Sequence, residues 1–157
     1  MKQNTENQNK NILKYLSYKY AHEQIKRAIE NGFFLEAITI EESIINDRLY
    51  PLYRKFSKNN MTLDRLTIGV ITNMLKQMSV EDLSNLQIAF LNELDDFREK
   101  RNTCLHQIAK SEPGTAPMDI SEFIKLSKTT AMAGKKLTGK ISTWAEKYKP
   151  QLIEQKD

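Results

Sequence analysis

Apolar residues recur along most of the chain at intervals of three and four positions, the spacing of one face of an α-helix. The first such stripe runs from Asn11 to Asn31, and Asn31-Gly32 is a typical helix stop. A second stripe covers Phe34 to Ser57, where Pro51 lacks the amide proton needed inside a helix. We therefore expect two long helices here, the second kinked or restarted at Pro51.

The middle of the chain carries two sequence signals that predict helices. Residues 61–78 are apolar almost all round, so a helix here, capped by Thr62, should be the most buried element. Ser79 followed three residues later by Asp82 is a helix start signal. The next helix is predicted to run unbroken from Val80 towards Lys110.

The last helix is predicted from Asp119 or Ser121 to about Tyr148, with Gly134 and Gly139 as positions where it bends or is interrupted. The five glycines and four prolines lie mostly between these stretches, which favours long helices over strands and turns. The predicted fold class is all-α, a single bundle of about five helices.

One domain is expected, because 157 residues, 39% of them apolar, are enough for one hydrophobic core. Residues 11–150 form the predicted bundle, between a flexible N-terminal tail at 1–10 and a C-terminal tail at 151–157. The one clear loop is 111–117. It directly follows residues 101–106, and loops beside a site often control access to it.

Charge and cysteine content narrow the function classes. A net charge of +4 is compatible with a nucleic-acid partner without demanding one. The single cysteine, Cys104, excludes an intramolecular disulfide and makes a reducing compartment the expected setting. Residues 1–10 lack the apolar core of a signal peptide, and no apolar run approaches the ~18 residues that span a bilayer. A cytoplasmic protein with no membrane partner is expected.

The stretch with the most chemical character is Arg101-Asn102-Thr103-Cys104-Leu105-His106, near the end of the helix predicted from Val80. On a helical wheel Arg101 falls on the face that should be packed, together with Leu83, Leu86, Phe90, Leu94 and Phe97. A guanidinium cannot lose its charge, so its burial without a partner is expensive. We therefore expect an acidic side chain or a bound anion to meet Arg101.

An arginine, a polar residue, three spacers and a histidine resemble the signature of HEPN domains, which are small helical bundles. The resemblance implies a metal-independent ribonuclease site at a symmetric dimer interface, with Arg101, Asn102 and His106 in the family's arginine, polar and histidine positions. It also implies RNA as substrate, a homodimer, and a role as a toxin or effector in bacterial defence or stress response. An antitoxin or regulatory protein would then be a further partner.

These residue types suit chemistry at a phosphodiester. Histidine, with an unperturbed pKa of about 6.5, exchanges protons near neutrality, and the planar fork of arginine matches phosphate oxygens. Asn102 is expected to position the phosphate or ribose, or to fix the histidine tautomer. In an unbroken helix Arg101 and His106 lie about 140° apart. Either the helix distorts there, or each residue reaches the site along a different edge of a dimer groove.

Glu41 and Arg48 are a second anomaly, because both fall inside the apolar stripe of the second helix. A structural ion pair, or side chains that reach out to solvent, would explain them. The alternative gives them a supporting role at the site, with Glu41 as the acid that meets Arg101. In a purely structural bundle, Arg101 would pair with Glu41, Asp95 or Asp96.

The remaining candidates have plainer explanations. Tyr15, Tyr18 and Tyr20 are expected to pack rather than to stack on nucleobases, and His22 to be a solvated surface side chain. Two distant histidines and one cysteine lack the spacing of a metal site, and there is no glycine-rich phosphate loop. Neither a metal nor a cofactor is expected.

Two functions from different classes are compatible with the sequence. The leading interpretation is a dimeric, metal-independent endoribonuclease with a composite site of arginine and histidine. The alternative is a non-catalytic helical module that binds RNA, a nucleotide or a partner protein through the same groove. Loss of RNA cleavage in EDTA on replacing Arg101 or His106 would separate the two.

Overall fold

Helices form every long element of the described fold. The computed structural model describes residues 2–57, 61–107, 116 and 118–154, and within those ranges it contains α-helices, one 3-10 turn and no strand. The predicted all-α class is therefore confirmed. The elements are, in chain order, α1 Lys2–Glu30, α2 Phe34–Phe56, the 3-10 turn Leu63–Arg65, α3 Ile68–Gln77, α4 Val80–Asn85, α5 Leu91–Gln107 and α6 Ile120–Glu154.

Helices α2 and α6 form the centre of the bundle. Helix α1 packs against both of them, α5 packs mainly against α6 and α3, and α3 also contacts α2. Burying an aliphatic side chain stabilises a fold by about 1.5–3 kcal/mol, so the packed faces hold these helices together. The core includes the fully buried side chains Ile38, Ile45, Leu49, Leu52, Ile71, Leu75, Leu94, Leu137 and Ile141.

Helix α2 begins at Phe34, as predicted, and continues through Pro51 to Phe56. Of the two outcomes expected at Pro51, a kink or a restart, the restart is therefore wrong. Proline removes one amide donor from the helix, but Leu49 and Leu52 are fully buried beside it. Packing of this turn against the core offsets the lost hydrogen bond.

The predicted helix over 61–78 is a 3-10 turn followed by the shorter helix α3. Extended backbone at Leu66 and Thr67 separates the two, and Thr67, not Thr62, caps α3 by accepting a hydrogen bond from the Val70 amide at 3.4 Å. All-round burial is also wrong, because the face that carries Asn73 is exposed. Helix α3 is therefore a normal amphipathic helix, with one face in the core and the other in solvent.

The unbroken helix expected from Val80 towards Lys110 is also wrong, since α4 ends at Asn85 and α5 starts at Leu91. Ser79 does cap α4, accepting from the Asp82 amide at 2.9 Å. The break is stabilised from outside the segment: the Trp144 indole donates to the Leu86 carbonyl at 2.8 Å. Gln87 beside it has a positive φ of 52°, which no helix interior allows.

The helices at the two ends are longer than predicted. Helix α1 starts at Lys2 instead of Asn11, and α6 continues to Glu154, so the backbone of both expected tails is helical up to these residues. Residues 155–157 and the loop 111–117, apart from Ala116, lie outside the described residues. No described helix combines the length and apolar character that a bilayer crossing requires.

Candidate functional site

The stretch 101–106 lies in the last two turns of α5, where Cys104 fixes the helix to α6. The Cys104 side chain is fully buried, and its sulfur lies 3.7 Å from the Thr130 hydroxyl. Burial raises the pKa of the Cys104 thiol. The thiol is therefore protonated and packed, as a structural cysteine is, and it is no nucleophile.

Arg101 meets an acid, as its place on the packed face predicted, but that acid is Glu42. The Arg101 Nε donates to Glu42 Oε2 at 2.8 Å, and Nη2 donates to the same oxygen. Nη1 donates to the Asn102 side-chain oxygen at 2.9 Å. The guanidinium side chain is 24% exposed and the Glu42 side chain 13%. The pair is therefore half-buried and remains within reach of solvent.

Neither aspartate considered as an alternative partner contacts the motif arginine. Asp95 forms ion pairs with Lys76 and Arg98, and Asp96 forms one with Lys100. The lysine or arginine side chain of each of these three pairs is partly exposed, and ion pairs that water reaches contribute little to stability. The acid that holds Arg101 comes from a different helix.

Glu41 is not the partner of Arg101 either, which corrects its assignment to the site. Successive residues of a helix point about 100° apart, so Glu41 faces α6 while Glu42 faces α5. The Glu41 carboxylate is fully buried beside Gly134 and Phe97, and neither of its oxygens has a hydrogen-bond partner among the described residues.

Burial raises the pKa of Glu41 to about 9, against a small opposing effect of the Lys135 charge. Glu41 is therefore a neutral carboxylic acid at physiological pH. This position has no access to solvent or to Arg101, so we assign Glu41 to the core. Gly134 leaves room for the Glu41 side chain, because a methyl group at position 134 would overlap both the carboxylate and the Phe97 ring.

Arg48 does not pair with Glu41, and it has no contact with Arg101. Its guanidinium carbon lies 3.8 Å from the centre of the Tyr18 ring, a cation–π contact. Its one ion pair joins Nη2 to Glu146 at 3.5 Å, and Nε is buried with no acceptor in the described part of the chain. The alternative that gave Arg48 a supporting role at the motif is therefore wrong, and so is the predicted ion pair with Glu41.

His106 is exposed at the outer side of α5 and forms no hydrogen bond or ion pair with another described residue. Helix α5 is continuous through Gln107, so the helix does not distort at the motif. Arg101 and His106 therefore point about 140° apart, as an ideal helix requires. One copy of the chain does not bring the guanidinium and the imidazole together.

An apolar cleft of about 520 Å³ lies at the end of the bundle where α2 and α6 begin. Phe33 is 61% exposed and Ile124 50% exposed at its rim. The cleft starts one turn of α6 before Thr130, the residue that Cys104 touches. We call this surface, defined by Phe33, Phe123 and Ile124, the apolar end.

A second cleft, of about 430 Å³, brings together residues for which the sequence predicted no joint role. His22 lines it and is half-buried, so its prediction as a solvated side chain is wrong. Tyr18 packs as predicted, but Tyr15 and Tyr20 are 67% and 63% exposed. The spacing of Tyr15, Tyr18 and His22 puts them on one face of α1, a signal already present in the sequence.

Residues able to hold a metal do not cluster: in the described ranges no three His, Cys, Asp or Glu side chains lie together. The chemistry available at the motif is that of a guanidinium, an amide and an imidazole. It consists of charge stabilisation, hydrogen bonding and proton transfer.

No protein-family model matches the chain, and comparison with curated proteins and with solved structures gave no significant match. The resemblance to HEPN domains stays a prediction that rests on residues 101–106. An all-α bundle by itself hosts many unrelated functions.

Proposed function

We propose that this chain is a metal-independent endoribonuclease that works as a homodimer, with a composite site built from Arg101, Asn102 and His106 of both copies. A toxin or effector in bacterial defence or stress response is the role that the resemblance adds. The observation that carries the proposal is that one helix holds an exposed imidazole, without a hydrogen-bond partner among the described residues, and, one and a half turns away, a guanidinium already fixed by Glu42.

The proposed reaction is attack of a ribose 2′-hydroxyl on the adjacent phosphorus. One His106 takes the proton of the hydroxyl, the P–O5′ bond breaks, and the other His106 gives a proton to the leaving 5′-oxygen. The products are a 2′,3′-cyclic phosphate and a 5′-hydroxyl. Arg101 stabilises the negative charge on the phosphorane. A single imidazole cannot be base and acid in the same step, which is why two copies are needed.

Glu42 acts in this proposal as a positioning residue. A guanidinium has five N–H groups, and three of them donate to Glu42 and Asn102. The other two have no acceptor among the described residues and can donate to a phosphate. An arginine fixed by a carboxylate on one edge presents its other edge in one orientation. This preorganisation reduces the entropy lost when RNA binds.

The apolar end supports the proposed dimer. Contiguous exposed apolar side chains commonly mark interfaces, and Ile124 lies within two turns of Thr130, the α6 residue that Cys104 of the motif contacts. A second copy seated there would bring its own motif towards the first. Helix α1 offers a competing apolar stripe with Leu13 and Leu16, which are 64% and 51% exposed.

The test measures cleavage of single-stranded RNA in EDTA by the wild type, Arg101→Ala and His106→Gln. Each variant is expected to lose about 10²- to 10⁴-fold in rate. Lys100→Ala is the matched control, because it removes a neighbouring exposed charge of the same helix and should cleave normally. Unchanged cleavage by both motif variants would remove Arg101 and His106 from the mechanism.

A non-catalytic module that binds RNA, a nucleotide or a partner protein is the second candidate. The observation that favours it is the Arg101–Glu42 pair. A guanidinium that donates to a carboxylate can serve as a structural ion pair and need not take part in a reaction. RNA binding that Arg101→Ala weakens, without cleavage by the wild type, would favour this function over the nuclease.

A further inference from the structure

The cleft between α1, α2 and α6, which we call the tyrosine cleft, has no part in the proposed nuclease. Helix α1 contributes Tyr15, Tyr18 and His22, α2 contributes Arg48, and α6 contributes Ser142. Its volume of about 430 Å³ falls within the ~300–1,000 Å³ usual for small-molecule sites. Arg48 and Glu42 point about 120° apart around α2, so the cleft and the motif face different sides.

The Arg48 side chain gives the strongest indication that the tyrosine cleft binds an anion. This side chain is only 16% exposed, and its one ion pair among the described residues is a 3.5 Å contact with Glu146, which is itself 70% exposed. The buried Nε has no acceptor among the described residues. Leaving a buried charged donor unpaired is costly. Tyr18 donates its hydroxyl proton to Asp47, and the Arg48 guanidinium carbon lies 3.8 Å from the centre of its ring.

Two further donors line the same cleft. The Ser142 hydroxyl is buried with no partner in the described part of the chain. His22 is half-buried, and burial together with the Arg48 charge lowers its pKa. A guanidinium, a hydroxyl and an imidazole are three donors of different kinds. A tetrahedral anion has enough oxygens to accept from all three, whereas the carboxylate of Glu146 contacts only one.

We propose that the tyrosine cleft binds the terminal phosphate of a small organic phosphate, held by Arg48, His22 and Ser142, with a planar ring of the ligand on Tyr15. The Tyr15 side chain is 67% exposed at the rim, so one face of its ring is open to stacking. The inference does not depend on the proposed nuclease function.

The charges around the cleft favour a dianion over a monoanion. Glu23 and Glu146 oppose an anion, and the positive side chains that outweigh them are Lys19, Lys26 and Arg48. A terminal phosphate has a second pKa of about 6 and is largely dianionic at neutral pH. A phosphodiester, such as an RNA backbone, carries one charge per group and would gain less from the same residues.

The test is calorimetric titration at pH 7 with inorganic phosphate, ribose 5-phosphate and adenosine 5′-monophosphate. All three should bind, the last about tenfold tighter than ribose 5-phosphate because of ring stacking. Tyr15→Ala should remove that tenfold difference alone. Arg48→Lys, which keeps the charge but loses the fork, should weaken all three about tenfold, and Ser142→Ala about fivefold.

Arg27→Met is the matched control, since it removes an exposed arginine of α1 outside the cleft. His22 and His106 are the two histidines of the chain, so their imidazole NMR signals report the two sites separately. Phosphate should shift the His22 signals and raise its pKa, without moving those of His106.

Three results would overturn the inference: no binding of any of the three ligands, equal affinity for wild type, Arg48→Lys and Ser142→Ala, or shifts at His106 alone. Binding of single-stranded RNA without binding of the small phosphates would also overturn it. None of these outcomes changes the result expected from the RNA cleavage assay of the Arg101 and His106 variants. Either proposal can therefore be wrong while the other is right.

Discussion

Arg101 of α5 pairs with helix α2 and Arg48 belongs to that helix, yet their guanidinium groups are held in different ways. Two nitrogens of Arg101 contact Glu42, and a third contacts Asn102. Arg48 is more buried, but within the described part of the chain it has one ion pair, at 3.5 Å, and a buried Nε without an acceptor. A well-paired arginine is positioned, whereas a poorly paired one retains the capacity to bind an anion.

Glu41 sharpens this contrast, because neither arginine reaches it. It shares a face of α2 with Arg48 and is next in sequence to the partner of Arg101, yet its carboxylate contacts no donor in the described residues. Gly134 provides the space that keeps it in the core. The orientation of each side chain, and not its closeness in sequence, decides which charges pair.

The largest predicted change in the free energy of unfolding is expected when the space beside Gly134 is filled. Gly134→Ala should lower the free energy of unfolding by about 3 kcal/mol, because its methyl group would overlap the Glu41 carboxylate and the Phe97 ring. Gly139→Ala, in the same helix but with open space around it, should raise it by about 0.5–1 kcal/mol. Urea denaturation measures both. Equal effects would mean that Glu41 can move out towards an arginine.

Glu41→Gln should stabilise the protein at high pH. The folded pKa of about 9 exceeds the ordinary value of 4.5. The folded state therefore holds a proton that the unfolded state loses, and wild-type stability falls as pH rises from 4.5 to about 9. Glutamine is neutral in both states. The variant should gain about 2–4 kcal/mol at pH 8 and little at pH 4.5.

Chemical denaturation across this pH range measures the effect, with Glu36→Gln, an exposed position of α2, as its control. A Glu41→Gln variant that is less stable than the wild type at pH 8 would show that the carboxylate is ionised and paired. The contrast between the two arginines would then need revision.

The smallest of these effects is expected at Glu42. Glu42→Gln keeps an acceptor but removes the charge that fixes Arg101, so RNA cleavage should fall about tenfold through kcat, with KM nearly unchanged. A rise in rate would mean that Glu42 blocks the guanidinium instead of positioning it. Single-turnover cleavage kinetics distinguish the two results.

Much of the fold is predictable from apolar spacing, and the failures have an identifiable cause. The stripe of α2 predicts its start at Phe34 because it extends over several turns. The break between α4 and α5 is invisible locally, since a distant indole, that of Trp144, stabilises it at Leu86. Long-range contacts of this kind leave no signal in the segment that they interrupt.

The sequence predicted that Arg101 has an acidic partner, but it did not predict which residue that partner is. Burial of a guanidinium demands an acid, and Arg101 has one. The choice of Glu42 over Glu41 depends on which way α2 faces α5, and a shift of one residue changes that direction by about 100°. The tyrosine cleft needs Arg48 to meet Tyr18, which only the packing of α1 on α2 determines.

The most direct test of the shared nuclease site is the distance between the two copies at position 106. Spin labels can be attached at His106→Cys, because the natural Cys104 is buried, and Leu16→Cys on the apolar stripe of α1 serves as the comparison. The proposed dimer predicts a strong dipolar coupling at 106, over the span of one dinucleotide, and a weaker one at 16. Absent coupling at 106, or stronger coupling at 16, would contradict it.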